Sequence, residues 1–425
     1  MRKNAIGVCY FIIHLLIEIT SYFVVFSCFN SEAIIWLFFL YDILAFMPES
    51  VYGLIRDLGV KINFGLIGMG MSFIGLILML FSIPVLIPVI CVGVGNGLVH
   101  IEGAEVTLRH SGGKMFPSAL FVAGGAFGVV IGRLLASAHI PVLPVIFVHL
   151  LIFIPFIISL RLQKKDGEDD LLGFDYARND KNKYIIIVIA VFVVIVRSYM
   201  GYIIPHSNLS NSDLNLIAIF VSMGVGKALG GYLIDKRGMQ YTIWISTLGS
   251  LPFLALGAVG SFSMYCIGIM LFSMTMAVTL GLVVSAMKKY PGVAFGLTTI
   301  GLFIGLMVYE VLNAYEIINK PVLSTVILTL ISLMLLLYVC PKNAAENKKK
   351  SAADKDQRKK AGTYVCAFVF MLMVLNQMVA YVVKNNNEFY WAVKYAYDKC
   401  HWSQSSDDKI IKYEEEKAVT YKIVR

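Results

Sequence analysis

Polar residues that could take part in chemistry interrupt long apolar segments of this sequence. His14, Glu18 and Tyr22 follow each other at intervals of four residues near the start of the chain. In a helix this spacing puts the three side chains on one face. If the segment spans a membrane, a carboxyl group near its middle is costly, and such groups mark substrate paths and proton relays. We therefore expect Glu18 to exchange protons, with His14 and Tyr22 beside it.

Other ionisable residues also lie inside apolar segments, namely Asp42, Arg197, Lys227 and Glu310. Asp42 is the second candidate for proton coupling, whereas Glu49 is expected nearer the inner end of its segment. Lys227 stands among glycines, and its long side chain could extend to the nearer membrane surface. Glu310 lies close enough to the end of its segment for partial hydration.

A fourth apolar segment ends in a cluster of His100, Glu102, Glu105 and Arg109. Glu105 and Arg109 are four residues apart in the favourable acid-before-base order. A metal site is not expected, because helical spacing places His100 and Glu102 on different faces, whereas ligands must converge. A gate network, a substrate site and solvated helix-end charges remain open as interpretations.

The sequence contains no motif of covalent catalysis: it lacks a P-loop, a zinc-protease HExxH sequence and a GxSxG elbow. Its seven cysteines form no CxxC pair, so a zinc site or disulfide framework is not indicated. We therefore expect no cofactor and no enzyme activity. An enzyme acting on lipid-linked substrates and a non-transporting scaffold are the alternatives from other functional classes.

The elements that carry these residues are apolar segments of about 20 residues, the length that crosses a bilayer. Of 425 residues, 58% are hydrophobic and only 15% charged, and the mean hydropathy is +0.76, which excludes soluble globular and disordered proteins. Twelve spans are predicted, at 8–28, 33–54, 63–83, 85–107, 117–137, 140–161, 184–204, 213–235, 241–260, 263–286, 292–314 and 321–340. A thirteenth is possible near 364–383.

Positive charge lies mostly in alternate loops, as expected when those loops face the cytoplasm. All twelve spans then agree with one multi-pass orientation, in which the N-terminus is inside the plasma membrane. The net charge of +9 is interpreted as a topology determinant and a contact with the lipid bilayer, not with nucleic acid. A polar stretch at 162–183 separates the first six spans from the second six.

Two loops in equivalent positions of the two halves carry the same signature. Both contain a Gly-x-x-x-Asp sequence followed closely by a glycine, and the copies are 178 residues apart. Their residues are Gly53, Asp57, Gly59 and Lys61 in the first copy and Gly231, Asp235, Arg237 and Gly238 in the second. Such glycines permit tight turns, and an acid can cap a helix. The repetition indicates internal duplication.

These paired loops resemble the signature of the major facilitator superfamily. Three further stretches resemble the fosmidomycin-resistance branch of that family. They are His100-Ile101-Glu102, Ser111-Gly112-Gly113-Lys114 and the glycines at 124, 125, 128 and 132. Ile101 and Arg133 stand where that branch is expected to have proline. Because the second proline belongs to an exporter signature, its replacement keeps uptake open as an alternative to export.

The resemblance implies an all-α membrane protein of two six-helix bundles in the major facilitator arrangement. The domains would be the bundle 1–161, the cytoplasmic linker 162–183, the bundle 184–340 and the tail 341–425. In this fold helices 1 and 7 line a central cavity, so Glu18 would face Arg197, which could bind an anionic substrate group or hold Glu18 ionised. A static buried ion pair is the structural alternative.

Small residues recur at four-residue intervals in the fifth and eleventh spans. They include Gly124, Gly125, Gly128 and Gly132 in one and Gly301 and Gly305 in the other. This spacing lets helix backbones approach closely in lipid, either as static packing or as faces that slide during transport.

The sequence thus predicts a monomeric secondary transporter whose partners are a small-molecule substrate, protons and the bilayer. Proton-coupled drug or metabolite efflux by alternating access is the first hypothesis. Proton-coupled uptake of a small organic anion is the alternative.

Overall fold

Helices make up the fold of this computed structural model, which describes residues 2–27, 34–81, 83–163, 173–203, 213–314 and 321–341. The possible span near 364–383 and the rest of the tail after residue 341 lie outside the described residues. The first half contains α1 (Arg2–Ser27), α2 (Ile34–Phe46), α3 (Glu49–Asp57), α4 (Phe64–Leu78), α5 (Leu86–Arg109), α6 (Phe116–Ser137), α7 (Val142–Leu150) and α8 (Phe153–Leu162).

The second half of the described chain is also helical. It contains α9 (Lys183–Ile203), α10 (Asp213–Arg237), α11 (Met239–Trp244), a π-helical turn (Ile245–Gly249), α12 (Leu251–Ala258), α13 (Phe262–Ser273), α14 (Thr275–Ala286), α15 (Pro291–Ala314) and α16 (Pro321–Val339). No strand occurs in the described residues.

Eleven helical stretches in the described residues are long and apolar enough to cross a membrane. They correspond to eleven of the twelve predicted spans, and the third predicted span contains the shorter apolar helix α4. Several spans are interrupted where proline removes a backbone donor. Pro48 separates α2 from α3, Pro155 follows the turn between α7 and α8, and Pro252 follows the π-helical turn.

Many apolar side chains on the outer surface are exposed, as lipid contact requires. Leu143, Phe147 and Ile154 on α7 and α8 are 55–61% exposed, and Met334 on α16 is 64% exposed. A protein with such a large apolar surface would aggregate in water, whereas the same surface suits contact with the acyl chains of lipids. The fold is therefore that of a multi-pass integral membrane protein.

Close helix contacts at glycine support the predicted packing role of the fifth span. A Cβ added to Gly124, Gly128 or Gly132 of α6 would lie 2.2–2.5 Å from backbone oxygens of α1. The second half has a related contact, in which a Cβ at Gly305 of α15 would lie 2.4 Å from the Ser198 Cβ of α9. At Gly301 the corresponding contact, with Val194, is looser at 3.1 Å.

Candidate functional site

A buried polar cluster surrounds Glu18, and we call it the Glu18 cluster; it comprises His14, Glu18, Tyr41, Asn96 and His100. Glu18 Oε1 lies 3.1 Å from His100 Nε2, 3.2 Å from Asn96 Nδ2 and 3.3 Å from His14 Nε2. Tyr41 donates its hydroxyl to Glu18 Oε2 at 3.2 Å and accepts from Asn96 Nδ2. Glu18 is only 4% exposed, so protein groups and not water surround its carboxyl group.

The two histidines of the cluster are held from behind by other acceptors. His14 Nδ1 lies 2.9 Å from the Phe121 carbonyl oxygen, which can only accept, so this nitrogen carries the hydrogen. His100 Nδ1 lies 2.7 Å from Glu49 Oε1, and the Nε2 atoms of the two histidines are 2.9 Å apart. Both rings therefore direct their Nε2 atoms at each other and at Glu18.

Helical spacing and small residues position these side chains. His14 and Glu18 are one turn apart on α1, and Asn96 and His100 are one turn apart on α5. A Cβ at Gly125 of α6 would lie 2.5 Å from His14 Nε2. The predicted glycine face thus also makes room for the Glu18 cluster, a link that the sequence analysis did not make.

Asp42 lies beside the Glu18 cluster without a hydrogen-bond partner for its Oδ1 atom among the described residues. Its residue is 2% exposed, and it interacts electrostatically with Glu18 and Tyr22. Tyr22 packs edge-on against Tyr41 with ring centroids 5.6 Å apart. Tyr202 of α9, in the second half of the chain, lies near Asp42.

Arg197 does not pair with Glu18 in this conformation, contrary to the prediction that the two face each other. The polar neighbours of Glu18 are instead side chains of α1, α2 and α5. Arg197 is 9% exposed, and its Nη1 atom has no hydrogen-bond partner in the described part of the chain. Lys227 of α10 interacts electrostatically with both Arg197 and Glu18. Arg197 and Lys227 are therefore close enough for each positive charge to affect the other.

The predicted cluster at the end of the fourth span divides into two parts. His100 joins the Glu18 cluster, whereas Glu102, Glu105 and Arg109 form an ionic network with Arg56. Arg56 Nε lies 2.6 Å from Glu105 Oε2, and Arg109 Nε lies 2.8 Å from the other oxygen of the same carboxylate. Arg56 was not identified from the sequence as the partner of these acids.

The two signature acids bind the N-termini of helices elsewhere in the chain. Asp57 accepts hydrogen bonds from the backbone nitrogens of Gly292 and Val293 at 3.2 and 2.9 Å, at the start of α15. Asp235 accepts from those of Met115 and Phe116 at 2.9 and 3.0 Å, at the start of α6. A carboxylate there satisfies free N–H groups and favours the helix dipole.

The signature glycines allow these helix-end contacts. A Cβ at Gly53 would lie 2.3 Å from the Gly292 carbonyl carbon, and one at Gly231 would lie 2.4 Å from the Ala119 Cβ. Gly59 and Gly238 have φ of 84° and 91°, which other residues rarely adopt. The signature cations Lys61 and Arg237 are exposed.

The described end of the linker, residues 173–182, binds several helices. Tyr176 donates its hydroxyl to the Gly113 carbonyl at 2.7 Å and its backbone nitrogen to Ser285 Oγ at 3.0 Å. Burial, reinforced by the nearby Asp235 carboxylate, raises the pKa of Tyr176 well above its ordinary value. Arg178 binds both oxygens of Asp180, which lowers the pKa of Asp180.

Comparisons with known proteins agree with this architecture. No protein-family model matches the chain. The chain is 26% identical over 215 residues to the fosmidomycin resistance protein of Escherichia coli K12. The aligned stretch covers 44% of this chain and 52% of that protein. It thus spans about half the length of that curated relative.

Solved structures extend the similarity over most of the chain. The fucose:proton symporter of E. coli matches with a TM-score of 0.53 at 13% identity, over 79% of this chain and 98% of its own. The human organic anion transporter MFSD10 matches with a TM-score of 0.57 at 14% identity, over 79% and 99%. This chain has the major facilitator transporter fold. The titles of these two structural relatives name a symporter and a transporter, in agreement with the predicted functional class.

Proposed function

We propose that this major facilitator protein is a proton-coupled secondary transporter that exports a small molecule across the cytoplasmic membrane by alternating access. The observation that carries the proposal is a set of ionisable groups inside apolar spans, contributed by both halves of the chain, of which Glu18, Asp42 and Arg197 are buried. Asp42 lies near Tyr202 of α9, and Lys227 of α10 lies within electrostatic range of Glu18 of α1. Charged groups inside apolar spans are costly, and function is their usual justification.

The substrate of this transporter carries a negative charge. Arg197 and Lys227 form no ion pair within the described residues, and each is a cation in an apolar span. Burying an unpaired cation is unfavourable, and two neighbouring cations also repel each other. A carboxylate, phosphonate or phosphate group would neutralise both, and the planar guanidinium of Arg197 suits two oxygens of such a group.

The coupling proton is better assigned to Asp42 than to Glu18. Glu18 accepts hydrogen bonds from several donors, which stabilise an ionised carboxylate. Asp42 has a buried oxygen without a partner in the described chain, a situation that a neutral carboxylic acid tolerates better than an anion. Release of its proton would therefore follow access to water. The sequence-based prediction that Glu18 carries the proton remains as the competing hypothesis.

Alternating access would open and close the contacts at the inner ends of the helices. The helix-end bonds of Asp57 to α15 and of Asp235 to α6 join segments that lie more than 100 residues apart. Both signature loops are expected on the cytoplasmic side, with the N-terminus inside. The present conformation would therefore be closed toward the cytoplasm, and transport would require these bonds to break.

The relative named a fosmidomycin resistance protein supports export as the direction. Uptake of a small organic anion is the second candidate, favoured by Arg197 and Lys227 and by Arg133, which replaces the proline expected in exporters. A solved relative titled as an organic anion transporter supports the same chemical class. The two candidates share one binding chemistry and differ in the direction of net movement. The chain is proposed to act as a monomer in the plasma membrane.

The proposal is tested with the purified full-length protein in proteoliposomes. Anionic, neutral and cationic labelled compounds would be offered with and without an imposed pH gradient. We expect an anionic compound to move against its own gradient only when the pH gradient is present, and Arg197→Gln to abolish this movement. The matched control is Arg161→Gln, because Arg161 is an exposed arginine on α8. Transport of the anion at an unchanged rate by Arg197→Gln would contradict the proposal.

A further inference from the structure

We propose that His14, Glu18 and His100 form a binding site for a divalent transition-metal ion of the Zn²⁺, Co²⁺ and Ni²⁺ class. The three side chains offer two imidazole nitrogens and one carboxylate oxygen, all within 4.8 Å of one another and all buried. This inference goes beyond the proposed transport function and does not depend on it.

The separations of the three atoms match the face of a coordination polyhedron. His14 Nε2 and His100 Nε2 are 2.9 Å apart, and Glu18 Oε1 lies 3.3 and 3.1 Å from them. Ligands bonded to zinc at about 2.0–2.1 Å with angles between 90° and the tetrahedral value would lie about 2.8–3.4 Å from each other. The site therefore needs little rearrangement to accept an ion.

Hydrogen bonds behind the histidines favour the metal-binding tautomer. His14 Nδ1 donates to the Phe121 carbonyl, and His100 Nδ1 is paired with the Glu49 carboxylate. Histidines that ligate metals nearly always donate their other ring hydrogen to a carbonyl or carboxylate in this way. In the metal-free protein a proton on His100 Nε2 can bridge to His14 Nε2 and to the Glu18 oxygen. A metal ion would replace that proton, and the two Nε2 lone pairs and the carboxylate oxygen would then all face the ion.

The surroundings add oxygen atoms and negative charge. Asn96 is fully buried, and its Oδ1 atom has no partner in the described chain, while its amide nitrogen donates to Glu18. Glu49 is also fully buried and adds a second carboxylate behind His100. Two imidazoles with one carboxylate suit zinc, cobalt, nickel and iron, whereas calcium and magnesium prefer oxygen-only sets.

An ion at this site would join α1 to α5. His14 and Glu18 lie on α1, and His100 lies on α5. Because all three ligands belong to the first half, binding should stabilise that half whether or not a substrate is transported. Thermal stability therefore provides a readout that is independent of transport activity.

The test is titration of the purified, chelator-treated full-length protein with Co²⁺. Binding would be followed by the visible absorption of the bound ion and by the thermal unfolding midpoint. We expect one Co²⁺ per chain, a higher midpoint, and displacement of the Co²⁺ spectrum by Zn²⁺. Glu18→Gln and His100→Ala should abolish the spectrum. Glu49→Gln should weaken binding by roughly 10–100-fold, as is typical when a residue that orients a ligand is removed.

A matched control comes from another buried histidine. His149 is bonded to Thr20 at 2.9 Å and to the Met69 carbonyl at 3.1 Å and belongs to no carboxylate cluster in the described residues, so His149→Gln should keep full Co²⁺ binding. Gel filtration of each metal-free variant would establish that it is folded. The proposal is overturned if folded wild-type protein binds no Co²⁺, if Glu18→Gln and Glu49→Gln bind it normally, or if His149→Gln loses it equally. Wild-type protein whose histidines only take up protons would give the first of these results.

Discussion

Asp57 and Asp235 make the same kind of contact at two places in the fold. Each carboxylate accepts two backbone hydrogen bonds, Asp57 from the start of α15 and Asp235 from the start of α6. The two residues are 178 positions apart and belong to the repeated loop signature. This relationship gives the repeat a physical meaning, because both copies cap a helix that is distant in sequence.

Removing one cap should favour opening at this end of the molecule. In Asp57→Ala the start of α15 loses a helix-capping acceptor, a change that costs about 0.5–2 kcal/mol. A cysteine introduced at Ser50, which packs against Gly296 of α15, should then be alkylated faster in a background without other reactive cysteines. The control is Asp180→Ala, because Asp180 is an acid of the linker that makes no such cap. Equal alkylation rates in the two variants would count against a gate role for Asp57.

Close packing of α6 on α1 should make Gly128 intolerant of a side chain. A Cβ there would lie 2.4 Å from the Leu15 carbonyl oxygen and 2.6 Å from the Glu18 Cβ. We expect Gly128→Ala to lower the free energy of unfolding by about 1–3 kcal/mol, the usual cost of overpacking. Gly70→Ala is the matched control: it lies in α4 with open space around it, and alanine is favoured in helices by about 1 kcal/mol. Thermal unfolding in detergent measures both, and equal midpoints would refute tight packing.

Tyr176 should make stability fall at high pH. Its pKa is raised in the folded chain by burial and by Asp235, so above the ordinary tyrosine pKa of about 10 the unfolded chain loses the proton first. The unfolded state then binds fewer protons than the folded state, and stability decreases as pH rises through that range. In Tyr176→Phe the free energy of unfolding should fall by about 1 kcal/mol at neutral pH, because the hydrogen bond to the Gly113 carbonyl is lost. The loss of stability above about pH 10 should also become less steep in this variant. An unchanged slope would show that other groups cause it.

Lys227 should contribute to anion affinity without setting the direction of transport. Hydrogen bonds to charged groups are worth about 1.5–3 kcal/mol, which corresponds to roughly 10–100-fold in affinity. We expect Lys227→Gln to weaken binding of the transported anion by that factor and to leave an uncharged analogue unaffected. Equilibrium binding of both compounds to purified protein measures the difference. Equal weakening for the two compounds would indicate a structural role for Lys227.

The apolar spans were predictable because each depends on local composition. The side chains around Glu18 were only partly predictable. His14 and Tyr22 share its helix face, but Tyr41 and Asn96 lie on other helices, and single polar residues there are hard to distinguish from core residues. His100 was assigned to the wrong neighbours, and Arg197 to Glu18, because the rotation of each helix and the choice among competing partners depend on tertiary packing. A cue was available at Asn96 and His100, whose four-residue spacing matches that of His14 and Glu18.

In the proposed mechanism Asp42 carries the coupling proton, while Arg197 and Lys227 bind the anion. This mechanism is tested most directly by comparing Asp42→Asn with Glu18→Gln in proteoliposomes, measuring anion movement as a function of an imposed pH gradient. We expect Asp42→Asn still to exchange labelled anion across the membrane but no longer to respond to the pH gradient. Even if Glu18→Gln transports the anion more slowly, its transport rate should still increase with the pH gradient by the same factor as in the wild-type protein. If Glu18→Gln alone loses the response to the pH gradient and Asp42→Asn responds normally, the coupling proton is carried by Glu18 and not by Asp42.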